Sequence, residues 1–281
     1  MKNIIVNNCR RVKKNLVLIR ESFVLTCHYR HLLKEFVGRE IKGRFAGTFA
    51  GILWTVISPV ATMLAYFFVF SVIVRMQVTV AEVGTDSFLF FFLAGFFPWL
   101  MFSEGLTKAV GSLVAQSGLI TKVVFPVELL PLSALLSSFI LNGAGFLMFL
   151  IYLAFSGYFH LSWFFLPVLV IIEAFFALGL AWFLAALCVF VRDIAEVLNI
   201  VIMLWFFGTP IIYPGSMVPE ALRPLFHFNP MASYVQCFRN LLFFHQLDVL
   251  VTLKLFILAL ICCLSGAWFF MRSKPAFGDV L

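Results

Sequence analysis

An ionisable side chain within an apolar run is costly, and Glu173 is the clearest case in this 281-residue sequence. In a helix it would lie roughly 15 Å from the start of its apolar stretch, at 1.5 Å per residue. Two roles fit such a carboxylate: contact with a polar cargo, or a protonated or hydrogen-bonded packing role with Asn142 as one partner at comparable depth. Glu104 and Lys108 form an i, i+4 pair, and Arg192 and Glu196 repeat the spacing. No GxxxxGK[ST] loop occurs, so the chain cannot cradle nucleotide phosphates in the P-loop manner. His28, His31, His160, His227 and His245 form no HExxH pattern, no serine occupies a nucleophile elbow, and the histidines read as interfacial. Cys9, Cys27, Cys188, Cys237, Cys262 and Cys263 show neither a CxxC pair nor zinc spacing. They read as small hydrophobes, so neither a catalytic centre, a metal site nor a disulfide framework is expected.

The surrounding composition explains why charges are so few. Hydrophobic residues make up 63% of the chain and charged residues 12%, against roughly 45–50% and about 25% in soluble domains. A core of this length cannot hide that much apolar surface, so lipid must be the solvent. Six runs approach the roughly 20 residues needed to cross a bilayer: Phe49–Val74, Phe88–Val110, Leu129–Phe155, Phe164–Val191, Leu198–Ile212 and Val249–Met271. The fifth is short, and the second is apolar without interruption only to Phe102. The expected fold is therefore an all-α integral membrane protein with a cytoplasmic region at 1–48, a six-span domain at 49–275 and a tail at 276–281. The basic, mostly polar stretch before Phe49 lacks a secretory-signal pattern.

Basic residues orient these spans. An N-terminus in the cytoplasm puts sixteen Lys and Arg inside and leaves four outside: Arg75, Arg223, Arg239 and Lys254. By the positive-inside rule both termini are cytoplasmic, and the net charge of +7 then requires no nucleic-acid partner. Residues 23–41 read as an amphipathic helix at the membrane interface: Tyr29, Leu32, Leu33, Phe36, Val37 and Ile41 share one face. Arg30, Lys34 and Arg39 lie opposite, and Lys42 and Arg44 follow. Such a surface anchors to anionic lipid and could contact a cytoplasmic partner. Between Pro214 and Pro230 the prolines forbid one long helix, which predicts short helical turns dipping into the outer interface.

The aromatic residues carry a second kind of chemistry. The 37 phenylalanines read mainly as lipid-facing and packing side chains. The first two spans are aromatic-rich, with Trp54, Tyr66, Trp99 and Phe102 among them, and aromatic faces stack on the C–H faces of sugars. Neighbouring residues cannot all face one conduit, so at most a subset would line it.

Several segments carry a family resemblance, in order along the chain. Gly38-Arg-Glu-Ile-Lys-Gly-Arg-Phe45, Gly51-Ile-Leu-Trp54 and Ser58-Pro59 resemble the approach to the first span of type-2 ABC exporter permeases. Leu93-Ala-Gly-Phe-Phe-Pro-Trp99 is similar to the second span of that family, and Thr121-Lys-Val-Val-Phe-Pro-Val-Glu-Leu-Leu-Pro131 to its inner loop. Phe190-Val-Arg-Asp-Ile194 resembles the next inner loop, and Thr209-Pro-Ile-Ile-Tyr-Pro214 with Asn229-Pro-Met231 the outer re-entrant region. The resemblance is greatest to permeases exporting O-antigen, capsule or teichoic acid chains.

What the resemblance implies is a homodimer of six-span subunits in the bacterial inner membrane, paired with two ATP-binding cassette subunits that carry the ATP and Mg. This chain would hold no cofactor, and its cargo would be a lipid-linked polysaccharide, O-antigen foremost. The loop Gly111–Phe125 would seat in the ATPase, with Gln116, Lys122, Phe125 and Glu128 as coupling residues. Pro210, Tyr213, Pro214, Met217 and Asn229 would belong to an outer gate, and Trp54, Tyr66, Trp99, Phe102 and Glu173 would border the channel. Phe45 stands where the family often has Tyr. A drug or lipid exporter, an ATP-independent flippase or channel, and a membrane transferase are the competing readings; the transferase would need a His–Asp or paired-carboxylate site, which the sequence lacks.

Overall fold

A computed structural model describes residues 29–74, 80–122 and 125–281. Eight helices organise them: α1 Arg30–Phe45, α2 Trp54–Phe67, α3 Phe88–Ala115, α4 Leu129–Leu153, α5 Leu166–Phe190, α6 Ile194–Phe207, α7 Pro230–Arg239 and α8 Val249–Ser273. Residues 23–28 of the expected interfacial helix, with Cys9, Cys27, His28 and Arg75, lie outside the described residues. So do the side chains of Leu222, Arg223, Leu225 and His227.

Local chemistry sets the helix limits. Ser87 caps α3 by accepting from Phe90 N, and Asp248 caps α8 by accepting from Val251 N. Asn229 caps α7, with Pro230 in the first helical position, where its missing N–H costs nothing. Beyond their regular turns, α2, α4 and α7 widen into π-helical segments over Phe68–Ile73, Ala154–Tyr158 and Asn240–Phe244.

With these extensions, five helices among the described residues are long and apolar enough to cross a membrane. Four of the expected spans are recovered within a few residues; the first begins at Trp54 instead of Phe49. The fifth differs: α6 covers 14 residues, roughly 21 Å at 1.5 Å per residue. Gly208 and Pro210 stop it, and the chain then turns through short helical pieces at Gly215–Met217, Glu220–Leu222 and Arg223–Phe228. Those pieces agree with the turns expected between Pro214 and Pro230. A separate helix, α7, follows them.

The core forms around α3, which is hidden along most of its length by α4, α5, α6 and α7. Helices α5 and α8 lie against each other at Gly179 and Gly266, where a Cβ on either would run into the other helix's backbone. Small residues at a crossing let apolar helices gain dispersion contacts that lipid would otherwise supply. By contrast, no residue of α2 or its π-helical extension is fully buried.

All the described ends can be sorted into two sets. One, the basic end, gathers α1, the end of α3, the start of α4 and the end of α8, and carries most of the described basic residues. The far end holds the starts of α3 and α8, the Pro210–Asn229 segment and His245. After α8 the chain folds back: Phe277 is buried against Phe270 and Phe190.

Candidate functional site

At the basic end, α1 is tied to α3 through charges. Arg39 donates to Gln116 Oε1 at 2.7 Å, and Gln116 donates in turn to Glu40 at 3.4 Å. Arg44 and Lys108 both lie 2.6 Å from Glu104 Oε1, and Asn142 donates to the other carboxylate oxygen at 2.7 Å. The sequence reading of Glu104 and Lys108 as a pair therefore holds, with Arg44 and Asn142 added. The expected pairing of Asn142 with Glu173 does not form, because Asn142 is turned toward α3 and taken by Glu104. Three of these residues, Arg44, Glu104 and Asn142, line a cleft of about 160 Å³ whose walls also include Trp54, Ser58 and Phe97.

The apolar face of α1 is spent on protein. Phe36 is buried, Leu32 and Leu33 pack on the core, and Phe36 meets the Phe125 ring at 5.9 Å. Lys34, Arg39, Lys42 and Arg44 remain exposed, as does Arg30. Beyond Gln116 the loop forms one helical turn, Ser117–Ile120, and presents Lys122 to solvent. Glu128 is placed differently from its neighbours: it is 1% exposed, accepts from Lys274 Nζ at 2.8 Å, and its backbone carbonyl accepts from Trp182 Nε1. Gln116 and Phe125 thus both touch α1, while Glu128 ties α4 to the C-terminal end.

The expected channel residues do not share one surface. Tyr66 joins Phe92 and Phe96 on one side of α3, with centroids 4.6 and 5.1 Å away. Trp99 and Phe102 face the other way, toward Trp205 and Phe206 of α6 and Phe176 of α5. Both are buried, whereas Trp54 is 38% exposed at the basic-end cleft. Glu173 is fully buried and neither carboxyl oxygen has a hydrogen-bond partner. Tyr234, on α7, lies beside it and donates to Ile172 O at 3.4 Å.

At the far end, two side chains close the break after α6. Asn229 accepts from Trp205 Nε1 at 2.8 Å, donates to Gly208 O and Thr209 Oγ1, and accepts from Met231 N and Ala232 N. Arg239 donates to Phe91 O, Pro210 O and Ile211 O, with its guanidinium carbon 3.6 Å from the Phe91 ring centroid. Tyr213 donates to Phe207 O at 2.6 Å, Pro214 is buried and Met217 is exposed. So Pro210, Tyr213 and Asn229 converge on the end of α6, and Met217 lies apart.

Arg239 overturns one expectation. The charge count treats it as an outer-loop residue, but it is 3% exposed at the end of α7. A signal for α7 was present: Asn229-Pro230 begins a helix, and Met231, Tyr234, Val235 and Phe238 follow at one-face spacing. Such a face makes Arg239 part of a buried element.

Comparison with known proteins matches residues 31–243 to the family described as ABC-2 type transporter. The chain is 34% identical over 237 residues to the O-antigen export system permease protein RfbA of Myxococcus xanthus, covering 82% of this chain and 85% of the relative. Identity to RfbA of Klebsiella pneumoniae is 28% over 256 residues, covering 89% and 95%. The polysialic acid transport protein KpsM of Escherichia coli is 27% identical over 206 residues, covering 72% and 77%.

Proposed function

The chain belongs to the ABC-2 type transporter family, and from that premise we propose that it is the membrane permease of an exporter for lipid-linked polysaccharide, O-antigen foremost. The basic end faces the cytoplasm of a bacterial cell and the far end faces outward across the inner membrane. ATP and Mg are bound by a separate cassette subunit, and two permease copies assemble with two such subunits. A long polar glycan cannot cross hydrocarbon unaided, and its lipid anchor must stay in the bilayer, so the assembly supplies both a conduit and an opening toward lipid.

The observation that carries this reading is the joint between α1 and the loop after α3. Arg39 with Gln116, and Phe36 with Phe125, link an interfacial helix to the loop proposed to seat in the ATPase. Movement of that loop on hydrolysis is therefore felt at the membrane surface. The Arg44–Glu104–Lys108 cluster carries the same movement into α3. The identity to KpsM keeps a capsular polysaccharide as the second reading of the cargo.

The test is purification of the tagged chain in mild detergent from its native host, followed by export assays in vesicles. A P-loop ATPase in near-equal amount and ATP-dependent movement of lipid-linked glycan are expected. Recovery of the chain alone, with glycan movement that needs no ATP, would replace the exporter with a flippase.

A further inference from the structure

We infer that Arg239 is the positioning residue that holds the outer gate shut, by bolting the broken end of α6 to α3 and α7. The inference rests on the proposed orientation and on Pro210–Asn229 forming the outer gate, and four structural observations carry it.

The first is the shortness of α6. Its 14 residues span roughly 21 Å, against about 30 Å of hydrocarbon, so the carbonyls just past its end need protein donors. Pro210 O and Ile211 O are two such carbonyls, and Arg239 donates to both, at 2.6 and 2.9 Å.

The second is the direction of the remaining bonds. Nε and Nη2 reach Phe91 O, in the first turn of α3, at 3.2 and 3.1 Å. One planar fork therefore spans three elements at once, a geometry that a lysine ammonium cannot reproduce. No acidic side chain forms a salt bridge with Arg239 among the described residues. Its charge is held by carbonyl dipoles and by the Phe91 ring.

The third is the space made for it. A Cβ on Gly95 would lie 2.9 Å from Arg239 Nη2 and 2.9 Å from Val235 Cγ1. Only glycine leaves the guanidinium where it is.

The fourth is room to release it. Arg239 also borders a cleft of about 220 Å³ lined by Pro214, Ser216, Gln236 and Phe244, among others. Opening the gate requires the fork to leave the Pro210 and Ile211 carbonyls, and the cleft can receive it.

The experiment uses the full chain with its ATPase subunit in vesicles and a membrane-impermeant maleimide applied from the far-end side. Label at Ile211→Cys, a fully buried position, is read by peptide mass. Leu169→Cys, fully buried in α5, reports loosening of the core. Arg239→Gln removes the charge, and Gly95→Ala displaces the fork while keeping it. Both should raise labelling at position 211 about tenfold or more, a shift of about 1.4 kcal/mol. Arg239→Lys should fall between them and the unsubstituted chain, and position 169 should stay slow in every variant. Unchanged labelling at 211 in Arg239→Gln and Gly95→Ala overturns the inference. Faster labelling at both 211 and 169 overturns it too, because Arg239 would then hold the fold and not a gate. ATP-dependent export by the unsubstituted chain is measured in the same vesicles, and its absence counts against the proposed function alone.

Discussion

Lys274 Nζ lies 2.8 Å from Glu128 Oε2, joining the residue after α8 to the residue before α4. Glu128 is almost fully buried and Lys274 about one-third exposed, so the pair is neither a surface ornament nor a sealed one.

Removing the lysine strands the carboxylate. Lys274→Met should destabilise the protein by about 1–3 kcal/mol, the cost of a buried group left unsatisfied. For a chain of this size that is a fall in Tm of several degrees, about 2–4 °C per kcal/mol. Glu128→Gln should cost less, because the buried group becomes neutral, still offers Lys274 an acceptor oxygen, and leaves a lysine that water can reach. Thermal unfolding in detergent, compared across both variants, reads the difference.

Hydrolysis and export should separate at the loop. Phe125→Ala loses the ring contact with Phe36, and Lys122→Ala removes an exposed charge from the same loop. The expected outcome is near-normal ATP turnover, intact assembly and export reduced about tenfold, a loss of about 1.4 kcal/mol in coupling. Unimpaired export in both variants would move the coupling element elsewhere.

Glu104 is shared by two cations. Glu104→Gln leaves Arg44 and Lys108 facing one another without a counter-charge, so it should cost more than Lys108→Met alone. A double-mutant cycle between Glu104→Gln and Lys108→Met should give an interaction of about 0.5–3 kcal/mol. Stability measured at low and high salt checks it, since these groups are partly exposed and their attraction is screened.

His245 adds a pH term at the far end. Its ring stacks on His160 at 4.2 Å, and partial burial, with the like charge of His160, pushes its pKa below the ordinary 6.5. The folded chain then binds fewer protons than the unfolded one. Its contribution is complete above about pH 6.5 and declines as pH falls through the lowered value. Protection factors around Leu241–Leu247, with the slower intrinsic exchange at low pH divided out, should therefore fall on acidification. His245→Asn should abolish that dependence while tolerating the left-handed backbone at φ 57°.

Depth along a helix was legible in the sequence, and direction around it was not. Hydropathy located four of the spans within a few residues and misplaced the start of the first, and Ser87 and Asp248 cap two of the helices. The Glu104–Lys108 pair was readable because i, i+4 spacing is internal to one helix. Depth alone pairs Asn142 with Glu173, whereas its bond to Glu104 depends on how α4 is rotated against α3. Likewise Tyr66, Trp99 and Phe102 form one aromatic group in sequence but face opposite sides of α3. Arg239 escaped because a count of basic residues treats each as solvated. Its burial depends on carbonyls contributed by segments 28 and 148 residues away.

The shortness of α6 has a consequence for the surrounding bilayer. A span of roughly 21 Å beside neighbours of full length creates a step in hydrophobic thickness along the rim of the protein. Lipid next to α6 must thin locally to follow it, or the far-end segment must lie in the headgroup layer to fill the difference. Where the bilayer thins, the acyl chains beside α6 are compressed relative to their neighbours; where the segment fills the step, Pro210–Asn229 lies at headgroup depth. Bilayer thickness therefore bears directly on α6: a thicker bilayer enlarges the step before any residue of the protein changes.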